Sequence, residues 1–195
     1  YPNGYCPIHA TGVRFDKTEI VTVNNSDLMK GKNIIVIETE NHCPYCEKFK
    51  EDVANNYQGT IPLTYRLATE LDGLKIKTTT WATPTILFLE DGVEVFGHQG
   101  YMTSEVFYQA LGAFKLGESE AYNVAFNEGT DARFCKQYEI FKDTPDGVFI
   151  DKLSGAPLFD TSDRFDSKSG WLSFTKSVDG AVYELEDNSH GMQRV

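Results

Sequence analysis

Two cysteines that lie three residues apart are the residues of this sequence best suited to chemistry. They belong to the segment 42–46 (HCPYC), after an apolar run at 34–37 (IIVI) and before a helix-type run at 47–53 (EKFKEDV). Two thiols at this spacing at the start of a helix can close into a small disulfide, and the helix N-terminus favours the thiolate of the first cysteine. The pattern therefore indicates thiol–disulfide exchange by Cys43 and Cys46.

The same spacing also occurs in zinc sites, which need about four ligands. The remaining candidate ligands are Cys6, Cys135 and four histidines, and none of them forms a second closely spaced pair. The order of strand, cysteine pair and helix favours redox chemistry over metal binding. We therefore expect a redox dithiol with no metal and no organic cofactor.

The composition limits the class of protein and of partner. The chain has 195 residues, 41% of them hydrophobic, and a net charge of −11, which suits one or two packed domains. It has no cluster of Lys and Arg with interleaved aromatic residues and no apolar stretch of membrane-spanning length, so we expect neither nucleic-acid binding nor membrane insertion. A start at Tyr1 and not at Met fits a processed export product, and we expect a periplasmic or secreted location.

The order of the predicted elements indicates an α/β domain followed by a β-rich module. Short apolar runs predict strands at 19–23, 33–39, 61–67, 83–89 and 93–97, and helical patterns end near residue 56 and cover 104–114. Helices that cross over between strands imply a central, partly parallel sheet. From residue 121 the composition becomes rich in turns and β-type residues. We therefore place an N-terminal domain at 1–116 and a second module at 117–195.

A proline begins the predicted strand that follows the cysteine pair by some 40 residues. Proline has no N–H to donate, so Pro84 is tolerated at a strand start, and a plain strand-edge proline is one interpretation. Together with the HCPYC segment, however, Thr83-Pro84 resembles the thioredoxin superfamily. In that family a proline so placed is cis and lies against the dithiol. The resemblance implies a thioredoxin-like fold in which Cys43 attacks, Cys46 resolves the mixed disulfide, Pro84 supports catalysis, and Thr83 binds the substrate chain.

Two further features concern proton handling at this site. His42, if protonated, would stabilise the thiolate, although it is equally typical of an exposed loop residue. Thioredoxins usually carry a buried acid six residues before the first cysteine, a position occupied here by Ile37. Glu38 is adjacent, but strand alternation directs it to the other face of the sheet. We therefore expect proton transfer and reduction potential to differ from those of typical thioredoxins.

The second half contains five segments rich in turns and aromatic residues: 129–131 (GTD), 146–149 (DGVF), 154–159 (SGAPLF), 164–174 (RFDSKSGWLSF) and 187–195 (DNSHGMQRV). Their aromatic residues could line an apolar pocket or fill a core. In this order the segments resemble the B-type methionine sulfoxide reductases, which reduce the R epimer of methionine sulfoxide. The resemblance implies a mainly-β module in which Trp171 packs on the substrate methyl group, with ordinary core packing as the alternative.

Departures from that family are informative. Zinc-binding members carry a cysteine pair where this chain has Asp151 and Ser154, so the chain resembles the zinc-free branch. Many members have a resolving cysteine where this chain has Ser169, but Cys135 matches a second known place for that thiol. Cys135 is therefore a candidate recycling thiol, or else a structural thiol, with Cys6 as one partner open to it.

The catalytic cysteine and pocket histidines of that family follow a Gly-Met-x-Arg motif, and this sequence ends shortly after that motif, at Val195. We therefore expect the module to be incomplete here and its nucleophile to belong to a longer parent chain. A non-catalytic remnant is the alternative.

The resemblances together imply a dithiol reductant fused to a peptide-methionine (R)-S-oxide reductase. Its expected substrates are free methionine sulfoxide or proteins that contain it, and an upstream disulfide reductase would reduce Cys43 and Cys46 again. Two alternatives stay open. The first is a disulfide oxidase or isomerase for exported proteins, and the second is a C-terminal adaptor that binds oxidised proteins without repairing them.

Overall fold

The computed structural model describes residues 23–127, 129–130, 141 and 143–186. Its strands are β1 (Lys32–Glu38), β2 (Leu63–Leu67), β3 (Thr85–Glu90), β4 (Val93–Gln99), β5 (Val148–Ile150), β6 (Pro157–Asp160), β7 (Arg164–Phe165) and β8 (Ser173–Phe174). Its helices are α1 (Pro44–Asp52), α2 (Ser104–Leu116) and α3 (Glu120–Phe126). The strand predicted at 19–23 lies almost wholly outside the described residues.

A four-stranded sheet in the order β2-β1-β3-β4 organises the first half of the chain. β1 runs parallel to β2, with Ile35 opposite Thr64, and antiparallel to β3, with Ile35 opposite Leu87. The β3–β4 hairpin turns at Asp91 and Gly92, whose φ angles of 50° and 76° are those of the tight two-residue turn. The predicted mixture of parallel and antiparallel pairing is confirmed.

β1 is buried on both of its faces. Ile34 and Val36 pack in a cluster with residues of α1 and α2, whereas Ile35 and Ile37 pack in a second cluster on the opposite face. A continuous apolar run is the pattern expected of a strand that is covered on both sides. The first cluster therefore attaches α1 to the sheet, and its position fixes where α1 can begin.

The ends of α1 and α2 follow from local sequence. Pro44 occupies the first turn of α1, where a missing N–H is tolerated, and α1 ends earlier than predicted because residues 54–56 form a 3-10 turn. The Thr103 side chain caps α2 by accepting from the Val106 N–H, and Gly117, with φ of 61°, follows its last residue.

The second half begins with a helix that the sequence analysis did not predict. The Ser119 side chain accepts a hydrogen bond from the Tyr122 N–H, 3.2 Å away, and so begins α3. The ring of Phe126, at the end of α3, lies directly over Gly112 of α2. The prediction of β character from residue 121 is therefore wrong for 121–126, because an N-cap and a helix-packing contact outweigh the local composition.

The described residues after α3 form two antiparallel strand pairs, β5–β6 and β7–β8. Their aromatic side chains form one cluster, in which Phe149 and Phe159 both contact Phe174, with ring centroids 5.3 and 4.6 Å away. The mainly-β character predicted for 117–195 is thus found in the described residues that follow α3.

Replacing Phe107 by Ala should lower the free energy of unfolding by about 3–5 kcal/mol, as measured by denaturant titration. Its ring is fully buried and contacts the rings of Phe49, Tyr57, Phe88 and Tyr108. Val106 precedes it on α2 and is 44% exposed, so Val106→Ala should change stability by less than about 0.5 kcal/mol. Equal effects of the two substitutions would contradict this description of the core.

Candidate active site

Cys43 and Cys46 form a disulfide at the N-terminus of α1, with their Cα atoms 5.2 Å apart. Cys43 is the N-cap residue, and its Sγ accepts a hydrogen bond from the Cys46 N–H at 3.2 Å. Cys43 is partly exposed, whereas Cys46 is only 3% exposed. Cys43 is therefore the sulfur that a partner thiol or disulfide can approach.

The Thr83-Pro84 peptide bond is cis, and Pro84 is buried immediately before β3. The carbonyl oxygen of Thr83 lies 3.7 Å from Cys43 Sγ, and its Oγ1 lies 3.5 Å from the same sulfur. The hydroxyl can donate a hydrogen bond to that sulfur once it becomes a thiolate. Four of the predicted site residues, the two cysteines with Thr83 and Pro84, thus lie together.

The loop that leads to Thr83 is held on β4 by a buried carboxylate. Glu94 is 7% exposed and accepts hydrogen bonds from the N–H groups of Lys77 (2.5 Å) and Thr78 (2.8 Å) and from the Thr78 hydroxyl (2.6 Å). Burial raises the pKa of Glu94, but these hydrogen bonds outweigh it and hold its pKa below the ordinary value of 4.5. The sequence around Glu94 carries no signal of its burial, since a charged residue between Val93 and Val95 is usually assigned to the solvent face of a strand.

An acid–base pair lies between the end of β1 and α1. Glu38 Oε1 and Lys50 Nζ form an ion pair at 2.9 Å, and the Glu38 carboxylate raises the pKa of Lys50. Lys50 follows Cys46 by four residues, so the two lie on one face of α1, and its Nζ lies 5.3 Å from the centre of the Tyr65 ring. Glu38 and Ile37 lie on opposite faces of the sheet, as strand alternation requires, but Glu38, and not the residue at position 37, lies on the face that α1 covers.

The surface around the disulfide carries two exposed aromatic side chains that sequence analysis did not single out. Tyr45, between the cysteines, is 63% exposed, and Trp81, two residues before Thr83, is 81% exposed. His42 is also exposed and makes no hydrogen bond or ion pair with any residue the structure describes. Its proposed effect on the thiolate therefore stays a prediction.

The predicted site residues of the second half lie on loops. Trp171 is half-buried between β7 and β8, and its backbone N–H donates to Ser169 Oγ at 3.3 Å. In the loop after β5, Asp151 Oδ1 accepts from the N–H and the hydroxyl of Ser154, at 2.6 and 2.7 Å. Cys6, Cys135 and the Gly-Met motif lie outside the described residues.

Within the part of the chain that the structure describes, no group of three or more His, Cys, Asp or Glu side chains is placed to hold a metal ion. Because Cys6 and Cys135 fall outside that part, the expected absence of zinc stays a prediction. None of the described helices combines the length and apolar character needed to cross a membrane.

Replacing Glu94 by Gln should destabilise the protein at pH 7 by about 1–3 kcal/mol, because a neutral amide accepts these hydrogen bonds less strongly. The folded state lowers the pKa of Glu94, so its carboxylate stabilises the fold above the unfolded-state pKa, and this contribution is lost as pH falls through the folded-state pKa. Urea titrations from pH 7 to pH 3 should show the difference from wild type shrinking. Glu90→Gln, at an exposed site at the end of β3, is the control, and a pH-independent difference for Glu94→Gln would contradict the assignment.

Two family models match successive parts of the chain. Residues 28–115 match the family model of a thioredoxin-like domain, and residues 118–195 match that of the SelR domain. Among solved structures, the periplasmic thioredoxin SoxS from Paracoccus pantotrophus is 19% identical, with a TM-score of 0.38 over 45% of this chain and 99% of that one. A thioredoxin-like protein from Clostridium perfringens is 18% identical, with a TM-score of 0.33 over 51% and 93% of the two chains. The chain is therefore a fusion of a thioredoxin-like domain with a SelR domain, the domain of the B-type methionine sulfoxide reductases.

Proposed function

We propose that Cys43 and Cys46 supply electrons to a peptide-methionine (R)-S-oxide reductase activity of the SelR domain, for the repair of oxidised methionine. The observation that carries this proposal is the disulfide at the N-terminus of α1, in contact with Thr83, on the same chain as a SelR domain. Both domains belong to redox families, and the direction of electron transfer between them is the step we add.

The surroundings of the two sulfurs suit them to different roles. After reduction, the Cys46 N–H and the Thr83 hydroxyl are placed to stabilise a thiolate on Cys43, and the N-terminus of α1 adds to this effect. Burial of Cys46 disfavours its charged form. Cys43 is thus the attacking sulfur, and Cys46 stays a neutral thiol until a mixed disulfide has formed.

The proposed cycle begins when a methionine sulfoxide transfers its oxygen to a SelR thiol, leaving methionine and a sulfenic acid. A second thiol condenses with the sulfenic acid, which releases water and forms a disulfide. Cys135 is our candidate for the second of these thiols. Trp171 is our candidate for the contact with the substrate methyl group.

Cys43 then attacks the SelR disulfide, so that one SelR sulfur leaves as a thiolate and the other is bound to Cys43. Cys46 gives up its proton and attacks the Cys43 sulfur, which releases the second SelR thiol. Two electrons have passed to the SelR domain, and the Cys43–Cys46 disulfide has formed. An upstream disulfide reductase must return those two electrons before the next cycle.

Fusion of the two domains favours this transfer. Two sites tethered on one chain meet at an effective concentration of about 1 mM when the geometry allows contact. We further propose that the substrates are free or protein-bound methionine sulfoxide and that the protein acts in the periplasm or outside the cell. Fractionation of cells that express the parent gene tests the location.

Separating the first turnover from later ones tests the proposal, in a version of the chain extended past Val195 along its parent gene. With free methionine-R-sulfoxide and a reductant that acts only on the dithiol, the extended chain should turn over repeatedly. Its Cys43→Ser variant should keep the first turnover, because that chemistry uses SelR thiols, and lose the later ones. An extended chain without a first turnover would refute the repair function and favour the adaptor, whereas unchanged later turnovers in Cys43→Ser would refute the electron relay.

The order of the two cysteines can be tested in the present chain. With a small aromatic disulfide such as 5,5′-dithiobis(2-nitrobenzoate), Cys46→Ser should stop at a stable mixed disulfide on Cys43, because the resolving thiol is gone. Peptide mass spectrometry locates the adduct and separates it from reaction at Cys6 or Cys135. Cys43→Ser is the matched control and should form little adduct at Cys46, which is buried. A faster reaction at Cys46 than at Cys43 would reverse the assigned roles.

A further inference from the structure

The loop that joins β5 to β6, residues 151–156, is closed by its own hydrogen bonds. The Asp151 N–H donates to the Ala156 carbonyl at 2.8 Å, and the Gly155 N–H donates to the Asp151 carbonyl at 2.9 Å. Asp151 Oδ1 also accepts from the Leu153 N–H at 3.1 Å. The loop is thus internally ordered, with Leu153 at its tip.

Leu153 is buried although it lies at a loop tip. It is 7% exposed, and the cluster that covers it includes Phe49 and Phe107, in α1 and α2 of the thioredoxin-like domain. Loop tips ordinarily lie at the surface, and an apolar side chain buried in another domain marks a specific contact. Leu153, a residue of the SelR domain, therefore belongs to the same buried cluster that attaches α1 to the sheet.

The backbones of the two domains also touch. The Gln58 N–H donates to the Ser154 carbonyl at 2.7 Å. Two glycines permit this approach, since a Cβ at Gly59 would overlap the Leu153 carbonyl oxygen and a Cβ at Gly155 would overlap that of Gln58. The two backbones therefore pack so closely that neither Gly59 nor Gly155 has room for a side chain.

A further polar contact lies beside these. Lys115 Nζ, at the end of α2, donates to Thr60 Oγ1 at 2.9 Å and to the Lys152 carbonyl. The packing of Phe126 over Gly112 forms another contact, between α3 and α2. The SelR domain thus contacts the thioredoxin-like domain in four ways. These are the buried Leu153 side chain, the hydrogen bond between the Gln58 and Ser154 backbones, the hydrogen bonds of Lys115, and the packing of α3 on α2.

The structure assigns to the 151–156 loop the role of a docking element that fixes the SelR domain on the thioredoxin-like domain, at the end of α1 remote from the disulfide. α1 has nine residues and is therefore about 13 Å long; Cys43 caps its first turn, whereas Gln58 follows its last. The described residues of the docked SelR domain therefore leave Cys43 and Thr83 accessible, and Cys43 can exchange with a disulfide on a separate molecule without separation of the docked surfaces. This inference does not depend on the proposed electron relay.

Amide hydrogen exchange in the full chain tests the docking directly. The Gln58 N–H should be protected, because its acceptor is Ser154 of the other domain, and Leu153→Ala should speed its exchange by about tenfold or more. Amides of β1 and β3 should keep their protection, which shows that the sheet is still folded. Leu185→Ala is the matched control, since Leu185 is in the same domain and 78% exposed, and it should leave Gln58 unchanged.

A second variant guards against unfolding of the SelR domain by Leu153→Ala. Gly59→Ala leaves the SelR sequence intact and places a methyl group against the Leu153 carbonyl and the Tyr57 ring, so it too should expose the Gln58 N–H. Unchanged protection of the β1 and β3 amides then shows that the thioredoxin-like domain stays folded in this variant. NMR relaxation should give both halves of the wild-type chain one rotational correlation time and the halves of Gly59→Ala two shorter ones. Independent tumbling in the wild type, or a Gln58 amide that neither variant affects, would overturn the docking, and slowed reaction of Cys43 in Leu153→Ala would overturn its remoteness from the disulfide.

Discussion

The burial of β1 on both faces is the constraint on which the redox site depends. β1 can pack only between β2 and β3, and its antiparallel register places Ile37 opposite Thr85 at the start of β3. The segment after β1 and the segment before β3 must therefore meet at one edge of the sheet, although some 40 residues separate them. Cys43 and Thr83 lie in those two segments, so the register of a hydrophobic strand brings the disulfide into contact with the cis-proline loop.

The same constraint explains which parts of the site the sequence could predict. The strand before the cysteines, the helix after them and the proline before β3 each have a local pattern, which is a continuous apolar run, an N-cap with proline in the first turn, or a proline at a strand start. Each of these patterns is local, so it can be recognised without knowledge of the tertiary fold. The pairing of Cys43 with Thr83 then followed from a family resemblance, since the register that produces it is not local.

The burial of residues that depend on tertiary contacts could not be predicted from such local patterns. In β4, Glu94 is buried between Val93 and Val95, which are 36% and 58% exposed, the reverse of the usual amphipathic alternation. The loop at 77–78 supplies the donors that make a buried carboxylate stable there, and hydrophobic periodicity carries no information about such donors. Leu153 is a similar case, because its burial depends on the apolar cluster of the thioredoxin-like domain.

The loop that carries Leu153 shows how one pair of positions can be held together by different chemistry. In the zinc-binding reductases that the second domain resembles, two cysteines at the positions of Asp151 and Ser154 are joined through a metal ion. Here the Ser154 hydroxyl donates directly to the Asp151 carboxylate, 2.7 Å away, and the same oxygen accepts two backbone N–H groups. A carboxylate that accepts three hydrogen bonds can fix a tight turn. Because the Asp151 carboxylate bonds to groups within the loop, the Leu153 side chain at its tip can pack against the thioredoxin-like domain. The same loop therefore orders part of the SelR domain and joins that domain to the other.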